Sequence, residues 1–152
     1  MVADADRTAD PEGHGQENRA ATKPRIVGMG ASAGGIRALQ EFFHALPDGH
    51  GAAFVVVVHL DPESHSDLAS ILAAQTRMPV TQVQGTVPLK ADHVYVVPPN
   101  RRLQITDHDV SAVEFDEPRG QRAPIDSFFR SLAGQHGDGF AIILTGRGPT
   151  VR

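Results

Sequence analysis

The sequence predicts an α/β fold built on a parallel sheet, and three observations carry that expectation. From Pro24 onward, short β-branched runs alternate with stretches of helical periodicity. One of these runs, Ala53-Phe54-Val55-Val56-Val57-Val58, is apolar without interruption, as a strand covered on both faces must be. The small-residue stretch Gly30-Ala31-Ser32-Ala33-Gly34-Gly35 joins the first strand pattern to the first helical one, which suits a tight strand-to-helix turn.

The elements follow in order. Residues 1–23 place Asp4, Asp6, Asp10, Glu12 and Glu17 among Arg7, Arg19 and Lys23, with Met1 and Val2 the only large apolar residues. Such a segment has too little to bury and is expected to be a disordered leader, an acidic interaction arm being the alternative. Residues 24–152 form the expected domain, partial at its C-terminal end. Arg25-Ile26-Val27-Gly28-Met29 reads as a strand, and Ile36, Leu39, Phe42, Phe43 and Leu46 recur at helical spacing until Pro47-Asp48-Gly49 stops them. Ser66 is placed to cap a helix reaching Gln75, with Leu68, Ile71 and Leu72 turned inward. Val80 to Val83 and Val94 to Val97 read as strands, the second closed by Pro98-Pro99. Leu103 to Thr106 and Val110 to Phe115 flank Asp107-His108-Asp109 as an antiparallel hairpin. Asp126 is placed to cap a helix that turns Phe128, Phe129 and Leu132 inward and ends near Gly137, and Phe140 to Leu144 reads as another buried strand.

Composition removes several classes of function. The chain has 152 residues, 40% hydrophobic and 21% charged, with a formal charge of −4, which lacks the basic excess of a dedicated nucleic-acid binder. It has no cysteine, so disulfide scaffolds, thiolate catalysis and Cys-ligated zinc are excluded. The longest apolar run, Ala52 to Val58, falls far short of the ~18–20 residues of a membrane-spanning helix, and no secretory signal pattern opens the chain. The expectation is a soluble cytoplasmic protein that is not membrane-embedded.

Two places can hold chemistry. The glycine-rich turn admits three readings: close packing of a helix on a sheet, nucleotide binding through Gly28-x-Gly30-x-x-Ala33, or a serine nucleophile, Ser32, beside backbone N–H groups that stabilise an oxyanion. The position after Val58 that a ribose-binding carboxylate would take holds His59, with Asp61 two residues on. No Lys-Ser/Thr pair follows the glycines, which excludes a phosphate-binding P-loop. Ser32 just past one strand and His59 at the end of the next would meet at one edge of a parallel sheet, where a neutral imidazole can accept a serine proton and return it to a leaving group. His59, Asp61 and His65 also form a zinc alternative, on a spacing that matches no strong signature.

At Gly30-Ala31-Ser32-Ala33-Gly34-Gly35 the chain resembles the catalytic domain of chemotaxis protein-glutamate methylesterases. The likeness continues through Val57-Val58-His59-Leu60-Asp61-Pro62, Val94-Tyr95-Val96-Val97-Pro98-Pro99-Asn100, Arg122-Ala123-Pro124-Ile125-Asp126 and Leu144-Thr145-Gly146-Arg147-Gly148. Leu39-Gln40-Glu41-Phe42-Phe43 and Ile125-Asp126-Ser127-Phe128-Phe129-Arg130 look most like the methylesterase part of methylesterase–methyltransferase fusions.

The resemblance implies a doubly wound, mostly parallel, Rossmann-like three-layer sheet with helices on both faces, incomplete at its C-terminus. It implies hydrolysis of glutamate γ-methyl esters on receptor proteins without cofactor or metal, with Ser32 as nucleophile, His59 as general base, and the backbone at Ala33 and Arg147 at the oxyanion site. The family's third catalytic member is an aspartate, and Thr150 stands at its position here. The implied partners are the cytoplasmic region of a methylated chemoreceptor, or a receptor-like signalling protein, and a methyltransferase module. No receiver domain is expected ahead of the domain. A catalytically crippled fragment of the family and a nucleotide-binding α/β domain stand as the alternatives.

Overall fold

The computed structural model describes residues 24–47, 49–59, 67–118, 121–135 and 139–144. Strand β1 (Arg25–Ser32) leads through a 3-10 turn, Ala33–Gly35, into helix α1 (Ile36–Ala45) and strand β2 (Ala52–His59). Helix α2 (Leu68–Ala73), strands β3 (Val80–Gln82), β4 (Thr86–Pro88), β5 (His93–Val96), β6 (Arg102–Thr106) and β7 (Asp109–Val113), helix α3 (Pro124–Gln135) and strand β8 (Phe140–Leu144) follow. The main sheet has the order β3-β5-β2-β1-β8, and each of its neighbouring pairs is parallel. A second, three-stranded antiparallel sheet runs β4-β7-β6.

Alternation along the central strands divides the apolar residues between two layers. Val27, Met29 and Ala31 of β1 and Phe54, Val56 and Val58 of β2 pack with Leu39 and Phe43 of α1 and Leu68 and Leu72 of α2. Ile26, Ala53, Val55 and Val57 pack on the opposite face with Phe128 and Leu132 of α3 and with Leu103, Ile105 and Val110 of the small sheet. β2 is buried on both faces because it lies between β1 and β5 and is covered above and below, so its valine run is dictated by position. Each large apolar side chain buried there contributes about 1.5–3 kcal/mol.

The small sheet is tied to the main one through Tyr95, whose hydroxyl donates to the Pro88 carbonyl at 3.0 Å and accepts the Lys90 N–H at 2.8 Å. Burial pushes this phenol above its ordinary value, and the Lys90 hydrogen bond offsets part of the rise.

Several sequence expectations need correction. The hairpin exists, closed at Asp107 with φ of 55°, but it is two strands of a three-stranded sheet. Thr86-Val87-Pro88 escaped notice because three residues ending in proline carry no strand pattern. Helix α3 begins at Pro124, so Asp126 lies in its first turn and favours the helix dipole rather than capping it. Phe140 to Leu144 is not fully buried: β8 pairs with β1 at the outer position of the sheet, leaving Phe140 49% and Ile143 57% exposed. The leader 1–23, the Ser66 cap and the helix end at Gly137 lie outside the described residues; Asp67 occupies the N-cap position of α2.

Candidate functional site

Ser32 and His59 are the last residues of β1 and β2, and they are register partners in the parallel ladder. Ser32 therefore ends the strand rather than sitting past it. Neighbouring parallel strands lie about 4.8 Å apart, and paired residues turn their side chains to the same face. Alternation identifies that face. His59 follows Ala53, Val55 and Val57, which pack against α3 and the small sheet. Ser32 follows Ile26, Gly28 and Gly30, the last two directly against α3. Both side chains are exposed, whereas the six residues preceding each are buried. The apolar strand positions thus fix the backbone, and the Ser32 and His59 side chains emerge where the strands end.

The residue after Ser32 begins the 3-10 turn, and α1 starts three residues later without a side-chain cap. The first N–H groups of such a segment have no partner within the helix, so donors of the kind an oxyanion requires follow the serine immediately. Gly35 allows the turn to settle on the end of β8: a Cβ there would lie 2.9 Å from the Leu144 carbonyl oxygen.

Gly28 and Gly30 have a different use from the one their G-x-G spacing suggests. They lie within β1, not in a phosphate-cradling turn. A Cβ on Gly28 would lie 2.6 Å from Cε2 of Phe128, and one on Gly30 would lie 2.7 Å from Cγ2 of Ile125. The glycines admit α3 closely against the strand, which corrects the nucleotide-binding reading toward helix packing.

α3 and β6 run side by side away from the carboxyl end of the sheet. The Ser131 hydroxyl accepts the Ile105 N–H at 3.0 Å, and the Gln135 side-chain oxygen accepts the Asp107 N–H at 2.9 Å. Their starts are clamped together by Arg122. Its Nη1 donates to Asn100 Oδ1 at 2.7 Å, its Nε donates to the Glu117 carbonyl at 3.0 Å, and its guanidinium lies 4.4 Å from the centre of the Phe115 ring. Asn100 adopts φ of 61°, a left-handed conformation that asparagine tolerates. Arg122 and Ile125 were visible in sequence only as members of a motif; their roles depend on partners 22 and 95 residues away.

Asp61, His65, Arg147 and Thr150 lie outside the described residues, and of Ala33 only the backbone is described. Among the described residues, no three metal-ligating side chains converge, and no helix is long and apolar enough to cross a membrane.

Known proteins share this fold and much of this sequence. The family model for CheB methylesterase matches residues 27–149. The chain is 38% identical over 136 residues to protein-glutamate methylesterase/protein-glutamine glutaminase 2 of Burkholderia lata, covering 83% of this chain and 38% of that protein. It is 33% identical over 129 residues to protein-glutamate methylesterase/protein-glutamine glutaminase 3 of Pseudomonas aeruginosa, with the same shares covered. The fold matches the crystal structure of the Thermotoga maritima CheB methylesterase catalytic domain with a TM-score of 0.69 at 26% identity, covering 84% of this chain and 70% of that one. The chain spans well under half the length of these curated relatives. With the family model matched over most of its length and the parallel sheet placing Ser32 beside His59, the chain belongs to the CheB methylesterase family.

Proposed function

We propose that the chain hydrolyses glutamate γ-methyl esters on the cytoplasmic region of a methylated chemoreceptor or receptor-like signalling protein, as a cytoplasmic enzyme that needs no cofactor. The observation that carries this reading is the register pairing of Ser32 with His59 at the exposed ends of adjacent strands. His59 takes the Ser32 hydroxyl proton as Oγ attacks the ester carbonyl, and the backbone N–H groups that begin at Ala33 receive the developing oxyanion. Collapse breaks the C–O bond, and the methoxy group leaves as methanol with the proton held by His59. Water, deprotonated by His59, then releases the glutamate carboxylate and restores Ser32.

The family resemblance puts Thr150 at the position of the third catalytic member, an aspartate, and a hydroxyl cannot supply the charge that orients and stabilises an imidazolium. In serine proteases loss of that carboxylate lowers turnover ~10⁴-fold, so hydrolysis by this chain is expected to be slow. Labelling with a fluorophosphonate, followed by peptide mapping, tests the site: modification at Ser32 that fades in the His59→Gln variant is expected. Methanol release from a glutamyl methyl-ester peptide tests the reaction. Labelling elsewhere, or equal labelling of both proteins, overturns the assignment.

A further inference from the structure

Beneath the Ser32–His59 pair the same face continues with Gly30 and Val57, themselves register partners. They lie two residues back, roughly 7 Å along the strands. Gly30 is the convergence point of three apolar side chains: a Cβ there would meet Ile125 Cγ2 at 2.7 Å, Ile143 Cδ1 at 3.4 Å and Phe129 Cζ at 3.4 Å. Val57 is buried in the same layer. The floor under the reacting pair is therefore apolar, and Ile125, in the first turn of α3, is the side chain that a Cβ at Gly30 would meet first.

We propose that Ile125 is a specificity-determining residue that makes the site favour a glutamyl methyl ester over a glutaminyl carboxamide. The proposal rests on the ester-hydrolase reading above. Serine attack and proton return require the leaving group to lie between Ser32 and His59, over the row formed by Gly30 and Val57. A methoxy methyl can rest on an apolar floor without loss. A carboxamide NH₂ placed there loses water and gains no acceptor from Ile125, Val57, Phe129 or Ile143, none of which has a polar side-chain atom. The curated relatives carry both activities in their names, so the two substrates are the relevant competitors. Gly30 is part of the device, because any side chain there would drive Ile125 away from the strand.

The test compares two peptides identical except for a methyl ester or a carboxamide on one glutamyl side chain. In the 152-residue chain carrying Ser32→Ala, the ester peptide is expected to bind roughly tenfold more tightly. Equal binding overturns the proposal, whether or not the parent turns either peptide over. Absence of hydrolysis by the parent with this binding preference intact would count against the hydrolase reading alone. In Ile125→Thr, which keeps the branching and adds a hydroxyl, the preference should collapse toward equality, whereas Ile125→Val should keep it within about twofold. A preference unchanged in a folded Ile125→Thr protein would reduce Ile125 to packing and overturn the proposal.

Discussion

Gly28 faces the ring of Phe128 across the interface between β1 and α3, at a separation that leaves no room for a Cβ, which would stand 2.6 Å from Cε2. The ring lies in the core between α3 and the strands that carry Ser32 and His59, so this contact sets how closely α3 approaches them.

Gly28→Ala should therefore destabilise the domain by about 1–3 kcal/mol, the usual cost of overpacking. Phe128→Leu, which removes the ring edge, should recover part of that loss when combined with it. Urea denaturation of the two single variants and the double variant measures the coupling. An additive double variant would mean that the two residues do not share this space.

Ser32→Ala should abolish ester hydrolysis without altering the fold, because alanine suits the end of a strand but offers no nucleophile. His59→Gln should lower turnover about as far, and the double variant no further, because the two side chains act as one unit. Initial rates with matched circular dichroism spectra give the answer, and parental turnover in either variant would move the chemistry elsewhere.

Tyr95 makes stability depend on alkaline pH. Its phenol is held above the ordinary value of 10.0 by burial, so the folded state favours the protonated form. The resulting stabilisation is complete below about pH 10 and is lost as pH rises through the folded-state value. The chain has one tyrosine, so phenolate absorbance reports this residue alone. Its absorbance midpoint should lie higher in the folded protein than in urea. Tyr95→Phe should cost about 1–3 kcal/mol at neutral pH, because the Lys90 N–H and the Pro88 carbonyl both lose their partner.

Arg122→Gln should loosen the segments that lead into α3 and β6. It removes the geometry that joins Asn100, the Glu117 carbonyl and the Phe115 ring. A loss of about 1–2 kcal/mol is expected, and Arg122→Lys should recover little of it, since an ammonium cannot reproduce the fork. Amide hydrogen exchange should quicken at residues 100–101 and 114–117, leaving the centre of β2 protected.

The valine run of β2 and the helical spacing of α1 were legible in the sequence, because burial on both faces and an inward stripe each impose a local pattern. Ser32 and His59 were legible as candidates for the same reason: each stands where such a pattern ends. Their register was not legible, since nothing local to either strand states how it slides against its neighbour. Likewise, Gly28-x-Gly30 looks the same in sequence whether it cradles a phosphate or receives a helix. Only the placement of Phe128 and Ile125, about a hundred residues later, separates the two. The apolar run of β8 promised a covered strand, and its position outside β1 left Phe140 and Ile143 exposed. Sequence by itself determined which segments become strands and helices and which residue types end them. The tertiary structure decided which ends meet, because close packing and strand register are relations between distant segments.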